Sequence, residues 1–142
     1  MKISARTDYA CRALLELSLH WPSPTPLQIN AIAEKQKIPI KFLTQILIGL
    51  KQLGLVESVR GKKGGYMLSK PPQDIRLSEV VKSFTQSGVR NQARGQKQPQ
   101  TDVFNAIWKE IDEATWKIMD NVNFGDIVKR DRSLNKVPMF DI

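Results

Sequence analysis

The chain has one cysteine, Cys11, and one histidine, His20, in 142 residues. A single thiol excludes an internal disulfide, and one Cys with one His makes no zinc-ligand set of the usual spacing. The same scarcity leaves no nucleophile paired with a base, so the residues do not describe an enzyme. No apolar run approaches the roughly 20 residues that cross a bilayer. The opening stretch MKISARTDYACRALLEL carries charges inside its apolar pattern, unlike a secretory leader. A cytoplasmic location is expected. With 41% hydrophobic and 25% charged residues, the chain can build one compact domain and an added element.

Acidic residues are scarce where basic ones are dense. Residues 1–70 hold 11 Lys and Arg against 4 Asp and Glu, or +7, residues 71–100 hold 5 against 2, or +3, and residues 101–142 hold 6 against 8, or −2. The net +8 therefore belongs mostly to the first half, which points to a polyanion facing that half. Charge alone fits a merely soluble basic surface equally well.

The local patterns decide between these. TDYACRALLELSLH places Tyr9, Ala13, Leu14, Leu17 and Leu19 on helical spacing, with Thr7 or Asp8 as cap and a break at WPSPTP. QINAIAEKQ continues with Ile29, Ile32 and Ala33 inward. After KIP, the stretch IKFLTQILIGLKQLG carries an apolar stripe of Leu43, Ile46, Leu47, Leu50 and Leu53, opened by Pro39 and closed by Gly54. Two short amphipathic helices across a tight turn form a helix-turn-helix. VESVRGKKGGYML then reads as two strands around a glycine-rich basic tip. A helix-turn-helix followed by a hairpin is a winged helix, so the fold class expected is mainly α with a small β-hairpin.

Function follows from what that geometry leaves outside. A helix of this size enters the major groove, and Lys41, Thr44, Gln45 and Lys51 lie on the outer face with Ile48 and Gln52. The wing offers Arg60, Gly61, Lys62, Lys63, Gly64 and Gly65 to phosphates or a minor groove. Beyond Pro71 and Pro72, IRLSEVVKSF reads as a helix capped by Ser78, with Val80, Val81 and Phe84 inward. The Gln-, Gly- and Arg-rich run at 85–100 reads as a flexible loop. The long helix after it carries Phe104, Ile107, Trp108, Ile111, Thr115, Ile118, Met119 and Val122 on a near-heptad stripe, too much apolar surface for a solitary helix. A second copy is the simplest cover, and two-fold pairing suits a palindromic site. The divisions expected are a winged helix-turn-helix DNA-binding domain at 1–84, the loop at 85–100, a dimerisation helix and a short following helix at 101–130, and a tail at 131–142. The alternative is a winged-helix protein-docking module that does not read DNA.

The stretches RTDYACRALLEL, IAEKQKIPIKFLTQIL, GLVESVRGKKGGYMLSKPP and IRLSEVV together resemble the Rrf-two family of bacterial winged-helix transcriptional regulators, from about Met1 to Val128. The resemblance implies a homodimer joined through the long helix, with Arg60 similar to a minor-groove arginine and Lys41, Thr44 and Gln45 at recognition positions. A repressor is expected, since occupancy alone blocks a promoter. Thr44 stands where some members have Glu, so their operator is not carried over. Cluster-binding members place three cysteines before the long helix, yet SGVRNQARGQKQPQTDVFNAIW has none, and Asn105 stands where one branch has His. No iron-sulfur cluster or other cofactor is therefore expected. Asp8 resembles an aspartate that supplies an oxygen ligand in another branch, but helix capping suits it better here. Cys11 is expected to be a small buried hydrophobe, and His20 to cap or pack. A small-molecule or protein effector docking on the Arg90, Arg94 and Lys97 segment is the regulatory expectation.

Overall fold

Six α-helices and one antiparallel hairpin make up the computed structural model, which describes residues 2–94 and 102–136. Helix α1 spans Ala5–His20 and begins earlier than its apolar spacing predicts. Its cap is Ser4, whose Oγ accepts from the Thr7 amide at 3.2 Å; neither Thr7 nor Asp8 caps it. Thr7 is buried, and Asp8 pairs with Arg12 one turn on at 2.7 Å. Ala10, Ala13, Leu14 and Leu17 face the core.

Helix α2 (Ile29–Gln36) and helix α3 (Ile40–Gln52) are joined by a turn in which Lys37 adopts the left-handed conformation at φ 55°. Ile38 is buried under that turn, and its amide donates to the Ala33 carbonyl at 3.0 Å. Pro39, fixed near the φ it needs, opens α3. The helix closes with a Schellman motif: Gly54 at φ 76° donates to Lys51 O at 2.9 Å and Leu55 to Leu50 O at 3.1 Å. This closure corrects the expected stripe. Leu43, Ile46, Leu47 and Leu50 are buried, whereas Leu53 is exposed, because the reversal brings Leu55 back onto the core in its place. Each fully buried leucine contributes about 1.5–3 kcal/mol.

The hairpin pairs β1 (Val56–Val59) with β2 (Gly65–Leu68), Val56 opposite Leu68 and Val59 opposite Gly65. A 3-10 turn at Pro72–Asp74 leads to α4, which spans Leu77–Arg94 and outruns the expected end at Phe84. Its first turn is closed by Glu79, whose Oε1 accepts from the Arg76 amide at 3.1 Å, while Ser78 is buried inside the turn instead of capping it. Val80, Val81 and Phe84 pack inward as expected. Of the loop expected at 85–100, residues 85–94 are therefore helical, and 95–100 lie outside the described residues.

Asp102 caps α5 (Val103–Asp120), its Oδ1 accepting from the Phe104 amide at 2.9 Å. Helix α6 (Phe124–Leu134) opens on a capping box between Asn123 and Asp126 and passes the expected boundary at 130. The chain between them is pinned to the domain. Leu77 donates to Val122 O at 2.8 Å, Phe124 donates to Ile75 O at 2.9 Å, and the Phe124 ring is fully buried. Of the expected tail, residues 131–134 belong to α6 and 137–142 lie outside the described residues. Among the described residues no helix is long and apolar enough to cross a membrane.

Candidate nucleic-acid interface

An amphipathic helix buries one stripe and leaves the opposite face free to recognise something. On α3 that free face holds Lys41, Gln45, Lys51 and Gln52, all exposed, with Thr44 half-buried. Thr44 Oγ1 donates to Ile40 O at 2.9 Å, so its proton is committed to the helix and its hydroxyl offers only acceptor capacity outward. Gln45 keeps an unengaged amide in the second turn, the geometry that suits an adenine edge.

The wing is fixed to this helix through contacts that the sequence pattern does not announce. Lys51 Nζ donates to Ser58 Oγ on β1 at 2.8 Å. Leu27, just ahead of α2, pairs with Tyr66 on β2 through two backbone bonds, each 2.8 Å, and adds a third, one-residue strand to the hairpin. Gln28 Nε2 donates to the Lys62 carbonyl at 3.3 Å and holds the tip from below. Gln28, Ser58 and Leu27 are thus interface supports missed by reading the sequence. No local periodicity marks them, because each acts through a partner at least seven positions away.

The glycines explain how the tip is shaped. Gly61 sits at φ 111°, and Gly64 N–H closes the turn on the Gly61 carbonyl at 2.9 Å. A side chain on Gly65 would strike the Leu27 carbonyl, so glycine there lets the wing seat against the helix-turn-helix. Arg60, Lys62 and Lys63 are exposed. Among the described residues the ion pairs are Arg12–Asp8 and Lys70–Glu79, so no described carboxylate neutralises the wing cations. An uncompensated cationic turn beside a polar helix face can meet phosphates and base edges together.

The apolar stripe expected on the long helix lies largely at the surface of α5. Helix α5 has no buried residue: Phe104, Ile107, Trp108, Ile111 and Ile118 are exposed, Thr115 and Met119 are half-buried, and Val122, expected on the same helix, lies half-buried just beyond its end. Phe104 and Trp108 stack at 6.0 Å between centroids. Lys82 Nζ lies 5.1 Å from the Trp116 ring centroid, linking α4 to α5.

The candidate sensing residues are dispersed. Cys11 is half-buried, and burial, with Asp8 adding to it, pushes its thiol from 9.0 up to about 11. Asp8 is engaged by Arg12, and His20 Nε2 lies 2.6 Å from the Thr25 carbonyl. Arg90 and Arg94 belong to α4, and Lys97 lies outside the described residues.

Residues 3–130 match the family model described as Rrf2, iron-dependent transcriptional regulator. The chain is 30% identical to the HTH-type transcriptional regulator IscR of Klebsiella pneumoniae over 138 residues, covering 95% of this chain and 84% of that protein. It is likewise 30% identical to the Synechocystis protein slr0846, with 94% and 91% covered. Among solved structures, IscR of T. potens superposes with a TM-score of 0.82 at 25% identity, covering 99% of this chain and 95% of that one. CymR, the global cysteine regulator of B. subtilis, gives 0.78 at 23% identity, with 92% and 98% covered, and shares the fold. These regulators are not enzymes. The iron that the family description implies does not fit the donors of this chain. Its one thiol is held protonated near neutral pH, its one histidine lies nine residues further along the same helix, and among the described residues no three His, Cys, Asp or Glu side chains gather.

Proposed function

Since this chain belongs to the Rrf2 (Rrf-two) family of DNA-binding transcriptional regulators, we propose that it is a cytoplasmic repressor that binds a palindromic operator as a homodimer without an iron-sulfur cluster. The observation that carries this reading is the junction of the α3 outer face with the uncompensated wing, locked by Lys51 to Ser58 and by Gln28 to Lys62. Lys41, Thr44, Gln45 and Lys51 read or flank the major groove; Arg60, Lys62 and Lys63, carried on Gly61, Gly64 and Gly65, reach the phosphates and minor groove. The bare apolar stripe of α5 supports pairing with a second copy, which sets two such units side by side.

Selection of bound fragments from random DNA tests the reading. The expected result is an enriched inverted repeat whose affinity falls steeply with salt, as phosphate neutralisation requires. Affinity that ignores salt would instead support docking to a protein. Chain purified without oxygen is expected to be colourless and to bind the selected DNA without added metal. A brown protein with a sulfur-to-iron charge-transfer band would overturn the cluster-free part.

A further inference from the structure

We propose that Ile48 reads the 5-methyl group of a thymine and so helps set operator specificity, an assignment that rests on the DNA-reading function above. Ile48 is 43% exposed on a helix whose core stripe is essentially inaccessible. With about 100° per residue, it projects roughly 150° from the mean direction of Leu43, Ile46, Leu47 and Leu50, near the centre of the outer face. Lys41 lies about 20° from it and Gln52 about 40°. The other exposed apolar residues of α3, Ile40 and Phe42, project to the flanks, and Phe42 is accounted for by ring contact with Tyr9 at 6.4 Å. An isoleucine amid polar residues, on the face of the helix turned away from the core, keeps 43% of its surface open to a partner.

The major groove offers a fitting partner. Thymine is the base that presents a methyl group there, and apolar side chains recognise it. Isoleucine is stiff at χ1 and loses little freedom on making the contact. Gln45 precedes Ile48 by three residues, a rise of about 4.5 Å, comparable with the roughly 3.4 Å between base pairs. An amide suited to adenine and a branched alkyl group suited to thymine therefore face neighbouring steps. The geometry points to an A·T-containing element in each half-site.

Replacing thymines of the selected DNA one at a time by deoxyuridine removes only the methyl group. Wild-type protein is expected to lose about fourfold in affinity at one position per half-site, the effect of one buried methyl. Ile48→Ala is expected to bind the thymine DNA more weakly and to be indifferent to the same replacement. Wild-type binding that no single deoxyuridine alters, or an equal loss in Ile48→Ala, would overturn the assignment while leaving the DNA-reading function standing. A random pool that never enriches would sink both.

Discussion

Lys51 and Ser58 couple the recognition helix to the wing, the ammonium donating to the hydroxyl across 2.8 Å at the protein surface. Both side chains are exposed, so the bond positions more than it stabilises. Ser58→Ala is expected to change the unfolding free energy by less than about 1 kcal/mol in urea titrations. Lys51→Ala is expected to lower the salt slope of DNA binding by about one, and Ser58→Ala to leave it unchanged. Equal slopes in wild type and Lys51→Ala would show that the ammonium serves only the wing.

Arg60 and Lys63 stand on the same exposed tip, and the proposed function gives them different tasks. Arg60→Ala is expected to weaken operator binding sharply and to erase preference for a narrow A·T-rich minor groove. Lys63→Ala is expected to weaken binding to all sequences alike and to lower the salt slope by about one. Anisotropy titrations at matched salt separate the two.

Because Ile111 and Ile118 are 53% and 67% exposed, they can be changed without damaging the core. Replacing Ile111 and Ile118 together with Glu is expected to give a folded monomer of 16.1 kDa in sedimentation, with helical circular dichroism retained. An unchanged dimer would move the interface elsewhere.

Lys37 holds a left-handed backbone that glycine adopts without steric penalty. Lys37→Gly is expected to raise the unfolding free energy by about 1 kcal/mol, and a β-branched residue there to lower it. Chemical denaturation with an unchanged slope is the check.

For Cys11 the thiol pKa, raised to about 11, favours the neutral form in the folded chain. Its contribution to stability is therefore complete below the unfolded value near 9.0 and is lost as pH rises from there through about 11. Alkylation at pH 8 is expected to be slow, with a thiolate fraction about a hundredfold below that of the unfolded chain. The rate should climb to about pH 11 instead of levelling near 9. Rapid alkylation at pH 8 would contradict a sheltered thiol.

The helix-turn-helix and wing were legible because their signals are local: the i, i+3, i+4 spacing of Leu43, Ile46, Leu47 and Leu50, and glycines in a basic turn. What escaped depends on contacts between segments. Nothing near Gln28 reveals that its amide reaches Lys62 thirty-four residues on, and nothing near Ser58 reveals Lys51. The end of α4 was misjudged because Gln- and Arg-rich sequence is as compatible with an exposed helix as with a loop. Leu53 was misplaced because the Schellman reversal, not the helical period, decides which leucine after Leu50 turns inward.

The corner between α5 and α6 is stitched to the start of α4 by Leu77 to Val122 and by Phe124 to Ile75. In a dimer paired through α5, that corner acts as a set square: it converts the angle between two crossing rods into the helical phase between two half-sites. Lengthening the chain between Asp120 and Phe124 by one residue would leave each reading head intact, yet turn one against the other around the duplex. The preferred spacer would then change by base pairs while the half-site sequence stayed the same.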